Sequence, residues 1–121
     1  MSPPDQITRE QNPASAQTPY FPHVTPIISV KTLKLFWGDH PDAESSLRAW
    51  YTEAKKARWK GPQDIKTAYR TASILPNNRV VFNIKGNTYR LVVSVKYEFQ
   101  IVYVRFIGTH MAYDRIKAEE V

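Results

Sequence analysis

The feature that most constrains this chain is a change of hydrophobic period near its midpoint. Over residues 43–57 the apolar side chains Ala43, Leu47, Trp50, Ala54 and Ala57 recur at steps of three and four, the period of one helix face. Over residues 79–97 the step becomes two. Val80, Phe82 and Ile84 alternate with Arg79, Val81, Asn83 and Lys85; Tyr89, Leu91, Val93, Val95 and Tyr97 alternate with Thr88, Arg90, Val92, Ser94 and Lys96. Gly86-Asn87 between the two runs is a two-residue hairpin signal. A third run, residues 101–107, places Val102, Val104 and Phe106 on one side and Tyr103 and Arg105 on the other. Helices followed by a three-stranded antiparallel meander predict an α+β fold.

The helical half has its own start and stop signals. Ile27-Ile28-Ser29-Val30 is a short β-like run, and Thr32 can cap a helix carrying Leu33, Phe36 and Trp37. His40-Pro41-Asp42 opens the main helix, with Asp42 and Glu44 where the helix dipole favours anions. Lys55, Lys56 and Arg58 close it before Gly61-Pro62. A shorter helix follows, with Ile65, Ala68, Tyr69 and Ala72 inward and Lys66 and Arg70 on another face. Residues 1–25 hold five of the nine prolines and show neither period, so they are read as a flexible extension to a domain spanning residues 26–121.

Composition narrows the chemistry. With no cysteine, disulfide scaffolds, thiolate zinc sites and thiol catalysis are excluded, and three histidines make a histidine-only metal centre improbable. The sequence calls for no cofactor. No stretch approaches the roughly 18 to 20 apolar residues of a membrane span, and the first residues lack a signal-peptide core, so a soluble cytoplasmic protein is expected. The net charge of +6 is unevenly distributed: residues 1–25 contain Arg9 against Asp5 and Glu10, which leaves a net of +7 on residues 26–121. Such a surplus on a small domain favours polyanionic partners, nucleic acid first.

The hairpin turns that surplus into a surface. With Gly86-Asn87 as the loop, Lys85 faces Thr88 and Asn83 faces Arg90; with Glu98-Phe99 as the next loop, Lys96 faces Ile101 and Val92 faces Arg105, diagonal to Arg90. One sheet face would then carry Arg79, Asn83, Lys85, Arg90, Lys96, Tyr103 and Arg105. The outer face of an antiparallel sheet is polar in any case. Between Arg79 and Arg105, however, five bases accompany one acid, Glu98, where exposed sheets normally mix both signs. An anion-binding face is the stronger reading.

Beyond the third run the sequence is Gly108-Thr109-His110-Met111-Ala112-Tyr113-Asp114. Gly108 permits a sharp turn, Thr109 can cap a short C-terminal helix, and His110 and Tyr113, three apart, would share one side of it. An imidazole can move protons near neutral pH. Cleaving RNA without a metal needs a group that guides the 2′-OH proton, cations that stabilise the charge developing on phosphorus, and an acid for the departing 5′-oxygen. His110, Tyr113, Arg90 and Arg105 satisfy that list, with Lys66, Arg70, Arg79, Asn83, Lys85 and Tyr103 as further RNA or phosphate contacts. A lone histidine near a turn is more often structural; its place at the rim of a basic face favours the catalytic role.

Several of these pieces together resemble the HigB family of toxins among the RelE-like mRNA interferases. They are Trp50, Ala54-Lys55-Lys56-Ala57 and Trp59; Asp64-Ile65-Lys66; the run of residues 78–91; and Tyr103-Val104-Arg105-Phe106-Ile107-Gly108-Thr109-His110 with Tyr113-Asp114. Ile27-Ile28-Ser29-Val30 and His40-Pro41-Asp42-Ala43 fit the family's opening, so the resemblance covers about residues 26 to 116. It implies a small antiparallel sheet flanked by helices and a toxin that cleaves mRNA on the translating ribosome. It also implies restraint by a cognate antitoxin, typically a helix-turn-helix protein of the HigA type. The ending Thr109-His110…Tyr113-Asp114 then corresponds to the proton-transfer region, and Arg90 and Arg105 to phosphate-binding cations. The N-terminal extension departs from the family pattern.

A second reading from another class is a non-catalytic RNA- or ribosome-binding module that inhibits translation. It keeps the basic face and needs no proton-transfer group, so His110→Ala would leave inhibition intact. Tyr103 and Tyr113 could stack on bases under either reading. A DNA-binding regulator ranks last, since the helical half carries no helix-turn-helix signature.

Overall fold

The computed structural model describes residues 23–121. The period-2 half folds around the expected hairpin: β3 (Arg79–Ile84) and β4 (Tyr89–Lys96) pair antiparallel with Asn83 opposite Arg90 and Ile84 opposite Tyr89. The loop is longer than two residues. Residues 85–88 all lie in the turn, and both Lys85 (φ 52°) and Gly86 (φ 62°) are left-handed, a conformation that costs Gly86 little.

Beyond Lys96 a single 3₁₀ turn over Tyr97–Phe99 returns the chain through Gln100 (φ 54°) into β5 (Ile101–Thr109). Lys96 stands opposite Ile101, as expected. Two further strands complete the sheet. β2 (Ser73–Leu75) adds antiparallel to β3, and β1 (Ile27–Ile28) adds parallel to the far side of β5. The three-stranded meander is therefore the centre of a five-stranded mixed sheet in the order β1-β5-β4-β3-β2.

One face of this sheet carries the helices α1 (Val30–Asp39), α2 (Glu44–Lys56) and α3 (Pro62–Ala68), with a 3₁₀ turn over Pro41–Ala43 leading into α2. Their inward residues are those the helical period selects: Leu33, Leu47 and Ile65 are fully buried and Trp50 nearly so, packed against Phe82, Leu91, Val93 and Val102. Side chains of this size each contribute about 1.5–3 kcal/mol when withdrawn from water. Ala68 departs from the expected pattern and lies exposed, while Tyr69 and Ala72 do turn inward. Trp50, Trp59 and Tyr69 surround the Phe82 ring with centroid distances of 5.5, 6.1 and 4.9 Å.

The extension expected over residues 1–25 lies outside the described residues as far as Pro22. His23 and Thr25 cap the end of α2: both side chains bond the carbonyl of Ala57, and the Thr25 amide bonds that of Lys55. No helix among the described residues is long and apolar enough to cross a membrane.

Two corrections concern register. A β-bulge between Val92 and Val93 leaves Arg105 as the extra residue on β5, so Val92 faces Phe106 and Arg90 faces Gly108. A bulge residue reverses the alternation beyond it. Phe106 consequently leaves the helix-facing side, where Ile107 takes its place, and joins Val81 and Val92 in a second, smaller cluster on the opposite face. Arg90 and Arg105 are not a diagonal pair.

Candidate RNA-cleavage site at the hairpin end of the sheet

The sheet's second face is divided rather than uniformly cationic. Its middle is apolar, with Val81, Val92 and Phe106 packed against Leu75, Tyr113, Ile116, Ala118 and Val121. Tyr113 ends α4 (His110–Tyr113) and the other three follow it, so the chain beyond β5 folds back over the face it has just completed. Two cationic ends remain on either side of this apolar centre.

At the hairpin end, Arg90 is half-buried and donates from Nη1 to the carbonyls of Asn87 at 2.8 Å and Tyr89 at 3.3 Å. These contacts fix its stem along the turn. Asn83 lies opposite it on β3 and donates from Nδ2 to Asn87 Oδ1 at 3.3 Å. Gly108 lies opposite it on β5, and there a side chain is excluded: a Cβ would fall 2.6 Å from the Phe106 ring and 3.4 Å from Ala112 Cβ. The ring thus occupies the space beside Gly108 and closes the floor of this end.

At the next residue Thr109 caps α4 by accepting the Ala112 amide at 3.1 Å, and exposed His110 opens the helix. The expected cap and short helix both form. Tyr113, three residues on, is half-buried in the apolar cluster, so its ring leans on the sheet while His110 faces solvent.

At the other end, Arg79 and Arg105 converge on one atom. Arg79 Nε (3.0 Å) and Nη2, and Arg105 Nε (3.1 Å), all donate to the main-chain oxygen of Val121. Arg79 stands opposite Ser94, four residues along β4 from Arg90, which is about 13 Å at strand rise. Tyr103 is half-exposed opposite Ser94, beside Ile28 of β1.

Three of the expected phosphate contacts lie elsewhere. Lys66 donates to the carbonyls of Arg70 (2.8 Å) and Ala72 (2.6 Å), closing the end of α3 in the helix layer, where Arg70 is also exposed. Lys85 is drawn off the sheet face to Asp42 Oδ2 at 2.7 Å, while Tyr89 donates to Asp42 Oδ1 at 2.6 Å. Asp42 is the residue whose role the sequence did not reveal. Instead of serving a helix dipole, it ties the turn before α2 to the hairpin. The hydrogen bonds from Lys85 and then Tyr89 hold its carboxyl below the usual range, and the same carboxylate raises the Tyr89 phenol. Tyr69 is pushed well above its ordinary range, first by burial and then by its bond to Glu53. The described residues contain no cluster of three His, Asp or Glu that could hold a metal.

Residues 43–116 match the family model of the HigB toxin, described as the RelE-like toxic component of a toxin–antitoxin system. The chain is 30% identical over 90 residues, 73% of its length and 86% of the relative's, to the mRNA interferase toxin HigB of Escherichia coli K12. The mRNA interferases HigB of Escherichia coli O157:H7 and Shigella flexneri match it to the same extent.

Proposed function

The chain belongs to the HigB family, the RelE-like toxic component of toxin–antitoxin systems, and on that premise we propose that it is an endoribonuclease that cuts mRNA at the hairpin end of its sheet. The observation that carries this reading is the juxtaposition there of a fixed cation and a free imidazole. Arg90 is held by the turn opposite side-chain-free Gly108, and exposed His110 follows two residues later.

The chemistry is an in-line displacement within the RNA. The 2′-oxygen attacks the adjacent phosphorus, the bond from phosphorus to the 5′-oxygen breaks, and the products are a 2′,3′-cyclic phosphate and a 5′-hydroxyl. His110 and Tyr113, one turn apart on α4, handle the two proton transfers. Arg90 donates to the phosphoryl oxygens as charge develops, and such preorganised donors typically supply several kcal/mol. Asn83 orients the nucleotide beside Arg90, Tyr103 stacks on a base further along the face, and Arg79 and Arg105 bind a more distant phosphate. Lys66, Arg70 and Lys85 act through general attraction of the polyanion, since Lys66 and Arg70 lie in the helix layer and Lys85 is drawn off this face to Asp42. No metal or cofactor takes part.

The partners proposed are mRNA, delivered on the translating ribosome in the cytoplasm, and a cognate antitoxin of the helix-turn-helix type. The test is the end chemistry of RNA cut by the purified chain in EDTA. Cyclic-phosphate ends are expected from the native chain, with a loss of about 10²–10⁴-fold for His110→Ala at unchanged melting temperature. Undiminished cleavage by His110→Ala would move the chemistry elsewhere. Inhibition of translation by a His110→Ala chain that leaves RNA intact would favour a pure binding module.

A further inference from the structure

The turn that carries the β3–β4 hairpin contains a residue in a conformation its type disfavours. Lys85 and Gly86 both stand in the left-handed region, at φ 52° and 62°. Glycine adopts it freely, whereas the Cβ of a lysine crowds the carbonyl that follows. Such a residue persists where its surroundings hold it. Here the hold is Asp42. Lys85 Nζ donates to its Oδ2 at 2.7 Å, and the Tyr89 hydroxyl donates to its Oδ1 at 2.6 Å. Lys85 opens the turn and Tyr89 is the first residue after it, so one carboxylate grips the chain on both sides.

The carboxylate stands on a firm base. Asp42 lies within the 3₁₀ turn Pro41–Ala43, whose last residue is fully buried. The His40 ring before it stacks on Phe36 at 4.2 Å, and both rings meet Tyr89 edge-on at 5.6 and 5.2 Å. The phenol is therefore fixed from three directions.

The gripped turn supplies the acceptors that fix Arg90. Its Nη1 donates to the carbonyls of Asn87 at 2.8 Å and Tyr89 at 3.3 Å, one inside the turn and one at its exit. Asn83 reaches the same turn through Asn87 Oδ1 at 3.3 Å. A charge-stabilising donor acts through its exact position, and a small displacement lowers the rate of reaction more than the affinity for substrate.

We propose that Asp42 is a positioning residue for Arg90: by bridging Lys85 and Tyr89 it holds the left-handed turn whose carbonyls set the guanidinium on the other face of the sheet. This inference rests on the reading of the chain as an RNA-cleaving enzyme with Arg90 as its phosphoryl donor, and it names what keeps that donor in place.

The test is a mutant cycle read by single-turnover cleavage of a labelled RNA. Asp42→Asn should lower the saturating rate about tenfold, with the protein concentration giving half that rate unchanged within about twofold. In an Arg90→Gln background the same substitution should change the rate less than about twofold, since its effect passes through Arg90. Asparagine tolerates the left-handed region, so adding Lys85→Asn to Asp42→Asn should return most of the lost rate although the ion pair stays broken. Tyr89→Phe removes one of the two bonds at nearly constant volume and carries the test if Asp42→Asn fails to fold, with about a threefold loss expected along the same route.

A second readout needs no RNA. The Arg90 Nε–H nuclear magnetic resonance signal, assigned by its absence in Arg90→Gln, should move toward the position of a free guanidinium in Asp42→Asn and return with Lys85→Asn. An unmoved signal, a native rate in Asp42→Asn, an equal tenfold loss in the Arg90→Gln background, or no recovery with Lys85→Asn would each overturn the positioning role. A native chain that cuts no RNA yet shows the displaced and restored signal would sink the nuclease reading and leave Asp42 as the residue that places Arg90.

Discussion

The two faces of the sheet are built to different standards. Against the helices, large side chains from six elements interlock, among them Leu33, Trp50, Ile65, Phe82, Leu91 and Val102, each no more than 2% exposed. Across the same strands, the buried apolar side chains of the second cluster are Val81, Val92 and Ala118, of which Val92 alone is as enclosed as those of the first. The first face carries the larger share of the buried apolar side chains, and the second carries a smaller cluster. This division lets a small basic protein keep its cations apart: Arg90 at the hairpin, Arg79 and Arg105 under the last residues, and an apolar centre between them.

The sharpest test of that asymmetry is truncation on either side. Phe82→Ala should cost about 3–5 kcal/mol of unfolding free energy in denaturant titration, since its ring fills the space between Trp50, Trp59 and Tyr69. Gly108→Ala comes next, at about 1–3 kcal/mol, because its methyl group must displace the Phe106 ring. That shift should also move α4 and depress RNA cleavage beyond what the stability loss explains. Ala118→Gln should cost less, about 1 kcal/mol or below, as the segment after α4 detaches while the sheet stays folded. Hydrogen exchange would then accelerate at residues 116–121 and remain slow in β4. A loss of β4 protection in Ala118→Gln would erase the distinction between the faces.

The smallest effect concerns the tie across the helix-covered side. Because Asp42 ionises more readily when folded, its contribution is present above the unfolded carboxyl value of about 3.9 and is lost as pH falls through the lower folded value. Native protein should therefore melt higher than Asp42→Asn at neutral pH, and the gap should narrow below about pH 4. A gap that widens on acidification would contradict the assignment.

The sequence disclosed the helix-covered face well because its signals are local. The three- and four-step spacing of Leu47, Trp50 and Ala54 located α2, and the Gly86-Asn87 turn set Asn83 opposite Arg90. The bulge was hidden: Phe106 and Ile107 are both apolar, so alternation reads through Arg105 without a visible break. The short run Ile27-Ile28 was legible and forms β1, but its parallel pairing with β5, distant in sequence, was not; β2 was hidden because three residues give too little alternation to read. A clue to the covered second face was present. Val81 and Val92 sit at outward positions among the bases, and two opposed valines there indicate an apolar patch that needs a cover. At the site, the cap at Thr109 and the exposure of His110 followed from the sequence. The diversion of Lys85 to Asp42 and of Lys66 to the carbonyls just beyond α3 did not, since periodicity says nothing about where a flexible ammonium group finds its acceptor.

The central claim is that cleavage belongs to the hairpin end and not to the basic face as a whole. It is tested most directly by single-turnover cleavage of a labelled RNA at saturating protein, comparing Arg90→Gln with Arg79→Gln. A rate lowered by about 10²-fold or more is expected for Arg90→Gln, as for loss of one charge-stabilising donor, and a near-native rate for Arg79→Gln with only its RNA affinity altered. Equal loss of rate in both, or a native rate in Arg90→Gln, would contradict it.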